Sequence, residues 1–155
     1  NLTAAEETLL DGYRQLEAMG LTGPRANVAT MLARVQLLRN HNREAEELTR
    51  TCERIAAPEQ ADAQIKLRSV RAIAIARRGA PAEAERLARE AVYKAGETDQ
   101  LESRADAHVD LAEVLLLGGR GREAIAATDR AISLYQEKGI EVGERRARRL
   151  RARAQ

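Results

Sequence analysis

Few side chains in this sequence are of the types that carry out catalysis or hold metals. Histidine occurs at His41 and His108, and cysteine at Cys52. Neither histidine has a partner at metal-ligand spacing, so we interpret both as structural or surface residues. Cys52 has no second cysteine for an internal disulfide, which favours a reducing cytoplasm, and we expect it to be a buried core residue. These residues predict neither a metal site nor a reactive thiol.

Motifs for phosphate binding and for acid–base chemistry are also missing from the sequence. The glycine-rich segment 118–121 is interpreted as a tight turn, because no strand precedes it and no phosphate-loop pattern surrounds it. The carboxylate pairs Glu6-Glu7 and Glu46-Glu47 are predicted to be solvated helix faces without a catalytic role. The sequence therefore predicts a protein that is not an enzyme and that has no cofactor.

The C-terminal segment carries a cluster of arginines, namely Arg145, Arg146, Arg148, Arg149, Arg151 and Arg153. One interpretation is a helix that contacts the phosphates of a nucleic acid. The other is a solvated capping helix, whose apolar side consists of Val142, Ala147, Leu150 and Ala154. We favour the cap, because no aromatic residues are interleaved for base stacking and the net charge of the chain is only +2.

The composition indicates that helices position these residues. Hydrophobic residues make up 44 % of the chain, yet Phe and Trp are absent, so the core must consist of Ala, Leu, Ile and Val. The basic residues are nearly all Arg, which together with abundant Ala is typical of a GC-rich bacterial genome. No apolar run is long enough to cross a bilayer. We therefore expect an all-α cytoplasmic protein that makes no membrane contact.

A repeat of about 40 residues runs along the chain. A Glu-Ala dipeptide follows a turn at three places, and its alanines are Ala45, Ala84 and Ala124, with a weaker copy at Ala5. A small residue recurs twelve positions before each of the three (Ala33, Ala72, Ala112) and seven positions after it (Cys52, Ala91, Ala131). Small residues at such regular positions allow two antiparallel helices to cross closely.

Each repeat is predicted to be a helix, a turn and a second helix, which gives about eight helices in all. Their expected bounds are about 3–19, 24–39, 42–56, 60–78, 81–96, 99–118, 121–138 and 140–153. Thr3 and Glu6 predict a capping box at the start of the first helix. Pro24 and Pro81 suit first helical turns, and Pro58 follows the third helix. Left-handed helix ends are expected at Gly20, Gly79, Gly96, Gly119 and Gly139.

This pattern resembles the tetratricopeptide repeat, most clearly in the segment 105–132, through His108, Leu111-Ala112, Leu115, Gly119, Ala124 and Ala131. The period exceeds the standard one of about 34 residues. Asn40 replaces a turn glycine, which Asn tolerates. Arg68 and Arg71 occupy core positions, so either that helix is rotated or their guanidinium groups are paired. The resemblance implies an all-α fold, a right-handed α-α superhelix (a tetratricopeptide-like solenoid) of about eight antiparallel helices.

The chain is expected to be one repeat domain cut from a longer protein. It would hold a partial repeat in about 1–20, repeats in about 21–57, 58–97 and 98–138, and a capping helix in about 139–155. The strings 83–92 and 110–115 also resemble the C-terminal repeat region of actinobacterial multidomain proteins of the adenylate/guanylate-cyclase-like or transcriptional-regulator kind. That resemblance implies a scaffold within a larger signalling or regulatory protein.

The resemblance also implies a binding groove on the concave side, lined by the first helix of each repeat. Its expected residues are Asn27, Thr30, Arg34, Lys66, Ser69, Ile73, Arg77, Asp106, Val109, Asp110 and Glu113. Such a groove would be basic in its middle and acidic toward its C-terminal end, which suits an extended peptide or a helix of complementary charge. The expected partner is a protein or peptide of unknown identity, and self-association as a homodimer is a further alternative.

Overall fold

The computed structural model describes residues 1–57 and 59–155 of the chain. Within them lie eight α-helices: α1 (Leu2–Ala18), α2 (Thr22–Leu38), α3 (Asn42–Ile55), α4 (Ala61–Arg77), α5 (Pro81–Gly96), α6 (Leu101–Leu117), α7 (Gly121–Lys138) and α8 (Glu141–Arg153). Every predicted bound is met to within two residues. The expected role of Pro58 falls outside the described residues.

The helices form two layers. Helices α2, α4, α6 and α8 each pack against the next member of this set, and we call them the inner layer. Helices α1, α3, α5 and α7 form the outer layer; among the described residues, no two of their backbones approach each other. Because the inner helices are close together and the outer ones are spread apart, the inner layer is the concave side of a curved stack.

Residues with positive φ follow five of the helices, at the turns. Gly20, Gly79, Gly119 and Gly139 have φ values of 68°, 92°, 75° and 79°, and Asn40 has a φ of 61° after α2. The next residue then donates a hydrogen bond back into the helix, as the residue after Asn40 does to the carbonyl of Gln36 at 2.8 Å. The expectation that Asn40 substitutes for glycine is therefore confirmed. The expectation of a left-handed helix end at Gly96 is wrong, because α5 ends there without a positive φ.

The recurring small residues lie where the helices cross. Ala33, Ala72 and Ala112 in the inner layer are fully buried, and so are Ala45, Ala84, Ala124, Cys52, Ala91 and Ala131 in the outer layer. Side chains of one or two heavy atoms let the backbones of the two layers approach closely. Burial raises the pKa of the Cys52 thiol, and its sulfur lies 3.5 Å from the hydroxyl of Tyr13. Cys52 is thus the core residue expected.

The predicted capping box at the first helix is wrong. The helix begins one residue earlier than expected, and the side chain of Asn1 accepts a hydrogen bond of 3.0 Å from the backbone N–H of Thr3. Asn caps a helix as well as Thr does, so the side chain of Glu6 is not needed for a capping box and can bind elsewhere. Its carboxylate accepts hydrogen bonds from Arg39, at 2.5 Å, and from His41, at 3.2 Å. Glu6 therefore ties α1 to the turn between α2 and α3.

Two predicted solvated carboxylates are in fact enclosed. Glu46 is only 7 % exposed, and it accepts hydrogen bonds from Arg50, at 2.7 Å, and from Arg78. Glu6 is half-buried, whereas Glu7 and Glu47 are exposed as expected. Adjacent residues of a helix point about 100° apart, so one member of each pair faces a neighbouring element. Glu6 and Glu46 therefore form structural ion pairs and do not belong to a solvated face.

The C-terminal helix packs on the last repeat through Ala147 and Leu150, which are 0 % and 6 % exposed. Val142 was expected on this apolar side, but it is 70 % exposed, and Ile140 packs against the core instead. Gly143 lies against the ring of the buried Tyr135. A Cβ at position 143 would lie 2.6 Å from Cζ and 2.7 Å from Cδ1 of that ring. This close approach requires glycine and explains the residue type.

Candidate protein-binding surface

The eleven predicted groove residues all lie on inner-layer helices, but they do not form one open surface. Asn27 is exposed, and Thr30, Arg34, Lys66, Arg77, Asp106 and Glu113 are half-buried. Ser69, Ile73, Val109 and Asp110 are at most 2 % exposed. Helices α4 and α6 each pack against helices on both sides, which encloses residues that a terminal helix would leave open. These four residues belong to the core, so the accessible surface is smaller than expected.

Asp110 of α6 binds arginines of two other inner-layer helices. Its carboxylate accepts two hydrogen bonds from Arg34 of α2, at 2.9 Å and 2.7 Å, and one from Arg146 of α8, at 3.0 Å. The fork-like contact with Arg34 matches the planar geometry of a guanidinium and a carboxylate. One buried side chain of α6 therefore joins three inner helices, including α2, which is two repeats away along the stack.

The charges of this cluster stabilise one another. Burial alone would raise the pKa of Asp110, but the guanidinium groups of Arg34 and Arg146 outweigh it and hold that pKa below its ordinary value. Burial likewise opposes the charge on Arg34, yet Asp110 raises the pKa of that guanidinium. Asp110 and Arg34 are therefore both ionised at neutral pH, and the two guanidinium groups stabilise the buried carboxylate.

Arg77 makes a second link across the inner layer. One guanidinium nitrogen donates to the carbonyl of Leu37 at the end of α2, and another donates to the carboxylate of Glu113 in α6, each at 2.7 Å. Cations near a helix C-terminus complement its partial negative charge. Arg77 therefore stabilises the end of α2 and the contact between α4 and α6 together.

Asp106 and Tyr135 connect the inner layer to α7. The hydroxyl of Tyr135 donates a hydrogen bond to the Asp106 carboxylate. Burial raises the pKa of Asp106, although this hydrogen bond opposes the shift. Tyr135 is only 1 % exposed, so water cannot replace Asp106 as the hydrogen-bond partner of its hydroxyl. Asp106 is thus a structural carboxylate that faces into the fold.

The ion pairs of Arg34 and Arg77 remove much of the charge gradient that was predicted along the groove. Arg34 and Arg77 were expected to make the middle of the groove basic, and Asp110 and Glu113 to make its end acidic. In the structure each of these arginines binds one of these carboxylates, so the charges neutralise each other. The two pairs join residues 76 and 36 positions apart, a separation at which sequence spacing carries no information on contact.

Exposed apolar side chains on the inner layer were not predicted. Met31 and Leu38 are each 58 % exposed and share a helix face with Arg34, which points to the other inner helices. Leu117 is 48 % exposed and follows Asp110 by seven residues, which places it on the same face of α6. Their spacing from the predicted groove residues was a signal that the sequence already contained.

A cavity of about 420 Å³ lies on the outer side between α3 and α5, and a cavity of about 290 Å³ lies on the inner side between α6 and α8. Arg146, Arg149, Arg153 and Glu113 line the inner one above Leu150. Arg146 and Glu113 are already paired, whereas Arg149 and Arg153 have no ion-pair partner within the described residues. The inner cavity is therefore positively charged at its rim.

The arginines at core positions of α4 are paired rather than rotated away. Arg68 and Arg71 both bind the carboxylate of Glu53 in α3, with a separation of 2.5 Å for Arg71. This outcome selects one of the two alternatives that the sequence left open. Among the residues in 1–57 and 59–155, no cluster of metal-binding side chains occurs and no helix is long and apolar enough to cross a membrane.

Comparison with known proteins supports the fold. No family model and no curated protein matches the chain. Among solved structures, it is similar to a kinesin-light-chain-like protein of Podosopora anserina with nearly identical TPR-like repeats, at 21 % sequence identity and a TM-score of 0.65. The match covers 99 % of this chain and 76 % of that chain. The fold is tetratricopeptide-like. The predicted all-α, right-handed superhelix is therefore confirmed.

Proposed function

We propose that this tetratricopeptide-like domain is a protein-interaction scaffold without enzymatic activity, which binds a peptide or helix on its inner layer. The observation that carries the proposal is the exposure of Met31, Leu38 and Leu117 on that layer, where Arg34 and Arg77 are already engaged in ion pairs. Exposed apolar side chains that share a surface are typical of binding sites. The fold alone would not specify a function.

The partner's chemistry follows from what remains accessible. Its apolar side chains would contact Met31 and Leu38 on α2. Its acidic side chains would approach Arg149 and Arg153, which carry the uncompensated charge beside the cavity between α6 and α8. At the other end of the inner helices, Lys66 pairs within its own helix, with Asp62 at 2.7 Å. An amphipathic segment with acidic residues at one end fits this distribution.

The larger context remains part of the proposal. The repeats at about 21–57, 58–97 and 98–138 would form one domain of a cytoplasmic bacterial protein, within a longer signalling or transcription-regulatory chain. In that setting, binding of a partner to the inner layer would regulate the neighbouring domains. Homodimerisation stays a separate prediction, which light scattering of the purified domain can test.

Nucleic-acid binding by α8 receives little support from the side-chain contacts. Arg145 and Arg148 bind glutamates of their own helix, Arg146 binds Asp110, and Arg151 binds Asp129 at 2.6 Å. Four of the six arginines are thus compensated by carboxylates, which reduces the charge available to phosphates. The interaction with a protein segment is the better-supported function.

Selection from a phage-displayed library of random dodecamer peptides tests the proposal even while the natural partner is unidentified. The comparison variant carries Met31→Ser, Arg149→Glu and Arg153→Glu, because all three side chains are exposed and none is in the buried cluster. We expect peptides with apolar and acidic residues to be enriched on the native domain. Their affinity, measured by calorimetry, should fall at least about tenfold on the variant, since interfacial side chains of this kind contribute about 1 kcal/mol or more.

Arg122→Glu supplies the matched control, because Arg122 is an exposed arginine of the outer helix α7. This variant should bind the selected peptides as the native domain does. Equal binding by the inner-layer variant, or an equal loss in the Arg122→Glu control, would show that the peptides do not use the inner layer.

A further inference from the structure

A small pocket on the outer side of the fold has no role in the proposed function. It lies between α5, α6 and α7 and has a volume of about 280 Å³. Leu111 and Leu115 of α6 and Ala126 and Ala127 of α7 form its apolar wall. The two leucines are at most 5 % exposed, so the wall is part of a packed and rigid core. The pocket is therefore preformed rather than the product of a mobile surface.

Two cations and an unpartnered imidazole lie among these apolar groups. Arg89 and Arg130 line the pocket together with His108 and Glu123. Glu123 binds Arg120 at 2.6 Å and Arg89 at 3.3 Å, whereas Arg130 has no ion-pair partner in the described part of the chain. The Nδ1 atom of His108 is buried, and it has no hydrogen-bond partner there either. Because that nitrogen has no accessible surface, a ligand in the pocket would meet other atoms of the His108 ring, and Arg130 is the group with an unused charge.

We propose that this pocket binds a small aliphatic carboxylate. The hydrocarbon chain of the ligand would cover the wall formed by Leu111, Leu115 and Ala127. The carboxylate would bind the guanidinium of Arg130, beside the ring of His108 that lines the pocket. The apolar wall selects against small inorganic anions, and the arginine selects against uncharged alkanes and alcohols.

The size and the charge of the pocket favour a small molecule over a protein segment. A volume of about 280 Å³ is near the lower limit for ligand pockets and accommodates a short chain rather than a helix. Burial and the nearby Arg130 and Arg104 lower the pKa of His108 to about 4, so the imidazole is neutral at physiological pH. A neutral imidazole contributes no charge, so Arg130 supplies the positive charge that binds the carboxylate.

Proton NMR of the two histidine rings tests the proposal directly. The chain has two histidines, and His41 lies in the turn between α2 and α3, where it serves as an internal control. Sodium hexanoate should shift the His108 ring signal saturably and leave the His41 signal in place. A bound carboxylate should also raise the pKa of His108 from about 4 by about 1 to 3.

Two other probes separate the contributions of chain and charge. Sodium acetate lacks the hydrocarbon chain, and because each buried CH₂ contributes about fourfold in affinity, it should bind far more weakly than hexanoate. Hexanamide has the chain without the charge, and it should bind at least about tenfold more weakly. A response of His108 to acetate or hexanamide equal to its response to hexanoate would overturn the proposal.

Variants locate the site. Arg130→Gln removes the unpaired cation and should weaken hexanoate binding at least about tenfold. Ala126→Leu adds volume at an exposed position of the wall and should abolish binding without a change to the buried core. Arg122→Gln, on the same helix but outside the pocket, should leave binding unchanged. Circular dichroism confirms that each variant is folded. A His108 signal that does not respond to hexanoate, or native affinity in Arg130→Gln, would refute the assignment.

Discussion

Replacement of Asp110 by Asn should weaken the whole inner layer, although it changes a single atom. The carboxylate of Asp110 is 2 % exposed and accepts three hydrogen bonds from Arg34 and Arg146. An asparagine keeps one oxygen as an acceptor, but its NH₂ group faces a guanidinium that can only donate. The substitution therefore removes the charge of the cluster and places two donors against each other.

The expected loss in the free energy of unfolding is about 2–3 kcal/mol. Removal of one partner of a buried ion pair costs about 3–5 kcal/mol when the remaining charge stays buried. Here the remaining charges belong to Arg34 and Arg146, whose side chains are 29 % and 38 % exposed, so they can regain some hydration. The expected loss is therefore near or below the lower end of the range of about 3–5 kcal/mol. It is a large fraction of the free energy of unfolding of a typical domain, which is about 5–15 kcal/mol.

Urea denaturation followed by circular dichroism measures the loss, and hydrogen exchange with mass spectrometry shows where it acts. Asp110 joins α2 and α8 to α6, so amides of α2 and α8 should lose more protection than those of α5. The lowered pKa of Asp110 adds a pH test. Its stabilising effect should be complete above the ordinary aspartate pKa of about 3.9 and should fade as the pH drops from there toward the lower native pKa, because the unfolded chain then gains a proton that the native domain does not.

Asp129→Asn is the matched control. Asp129 binds Arg151 at 2.6 Å, but both side chains are at least 36 % exposed, so the loss should be below about 1 kcal/mol. Equal losses in the two variants, or an unchanged protection of α2 in Asp110→Asn, would refute the reasoning that one buried carboxylate couples the inner helices.

Three further predictions follow from local geometry. Gly143→Ala should lower stability by about 1–3 kcal/mol in a thermal melt, despite the better helix propensity of Ala, because the new methyl group meets the buried ring of Tyr135. Asn40→Gly should raise stability by up to about 1 kcal/mol and Asn40→Val should lower it, since φ is 61° at this turn, and urea titrations of the two variants check the sign. His108 should make stability fall as the pH drops from about 6.5 to about 4, because in this window its imidazole gains a proton in the unfolded chain but not in the native domain. After a discount for its partial exposure, this amounts to about 1–2 kcal/mol, which a comparison with His108→Gln in urea titrations across that range can measure.

Local features of the fold were predictable because local rules determine them. The turn at Asn40 and the buried Ala45 and Cys52 follow from helix ends and from the crossing of two adjacent helices. The errors were also local and have simple causes. Asn1 competes with Thr3 as a cap. Val142 precedes the buried Ala147 by five residues, which turns it about 140° away around α8 and toward solvent.

The position of the candidate surface was predictable from the sequence, but the pairing and burial of its side chains were not. The repeat pattern placed Arg34 and Asp110 on the same side of the stack, and in the structure they are in contact. Their direct contact depends on the curvature that brings α2 toward α6, and no spacing in the sequence specifies that curvature. The burial of Ser69 and Ile73 has the same origin, since α4 is enclosed by neighbours on both sides.

The Asp110 cluster also bears on how the inner layer would bind a partner. In repeat arrays, coupling normally extends only between adjacent units, so curvature can vary along the stack. The contact between Arg34 and Asp110 bypasses α4 and fixes the separation of α2 and α6 directly. Met31 and Leu117, which flank these two residues on the same helix faces, are therefore held at a defined distance. A partner that bridges them meets a preorganised surface and loses less entropy on binding, so Asp110 should affect its affinity without touching it.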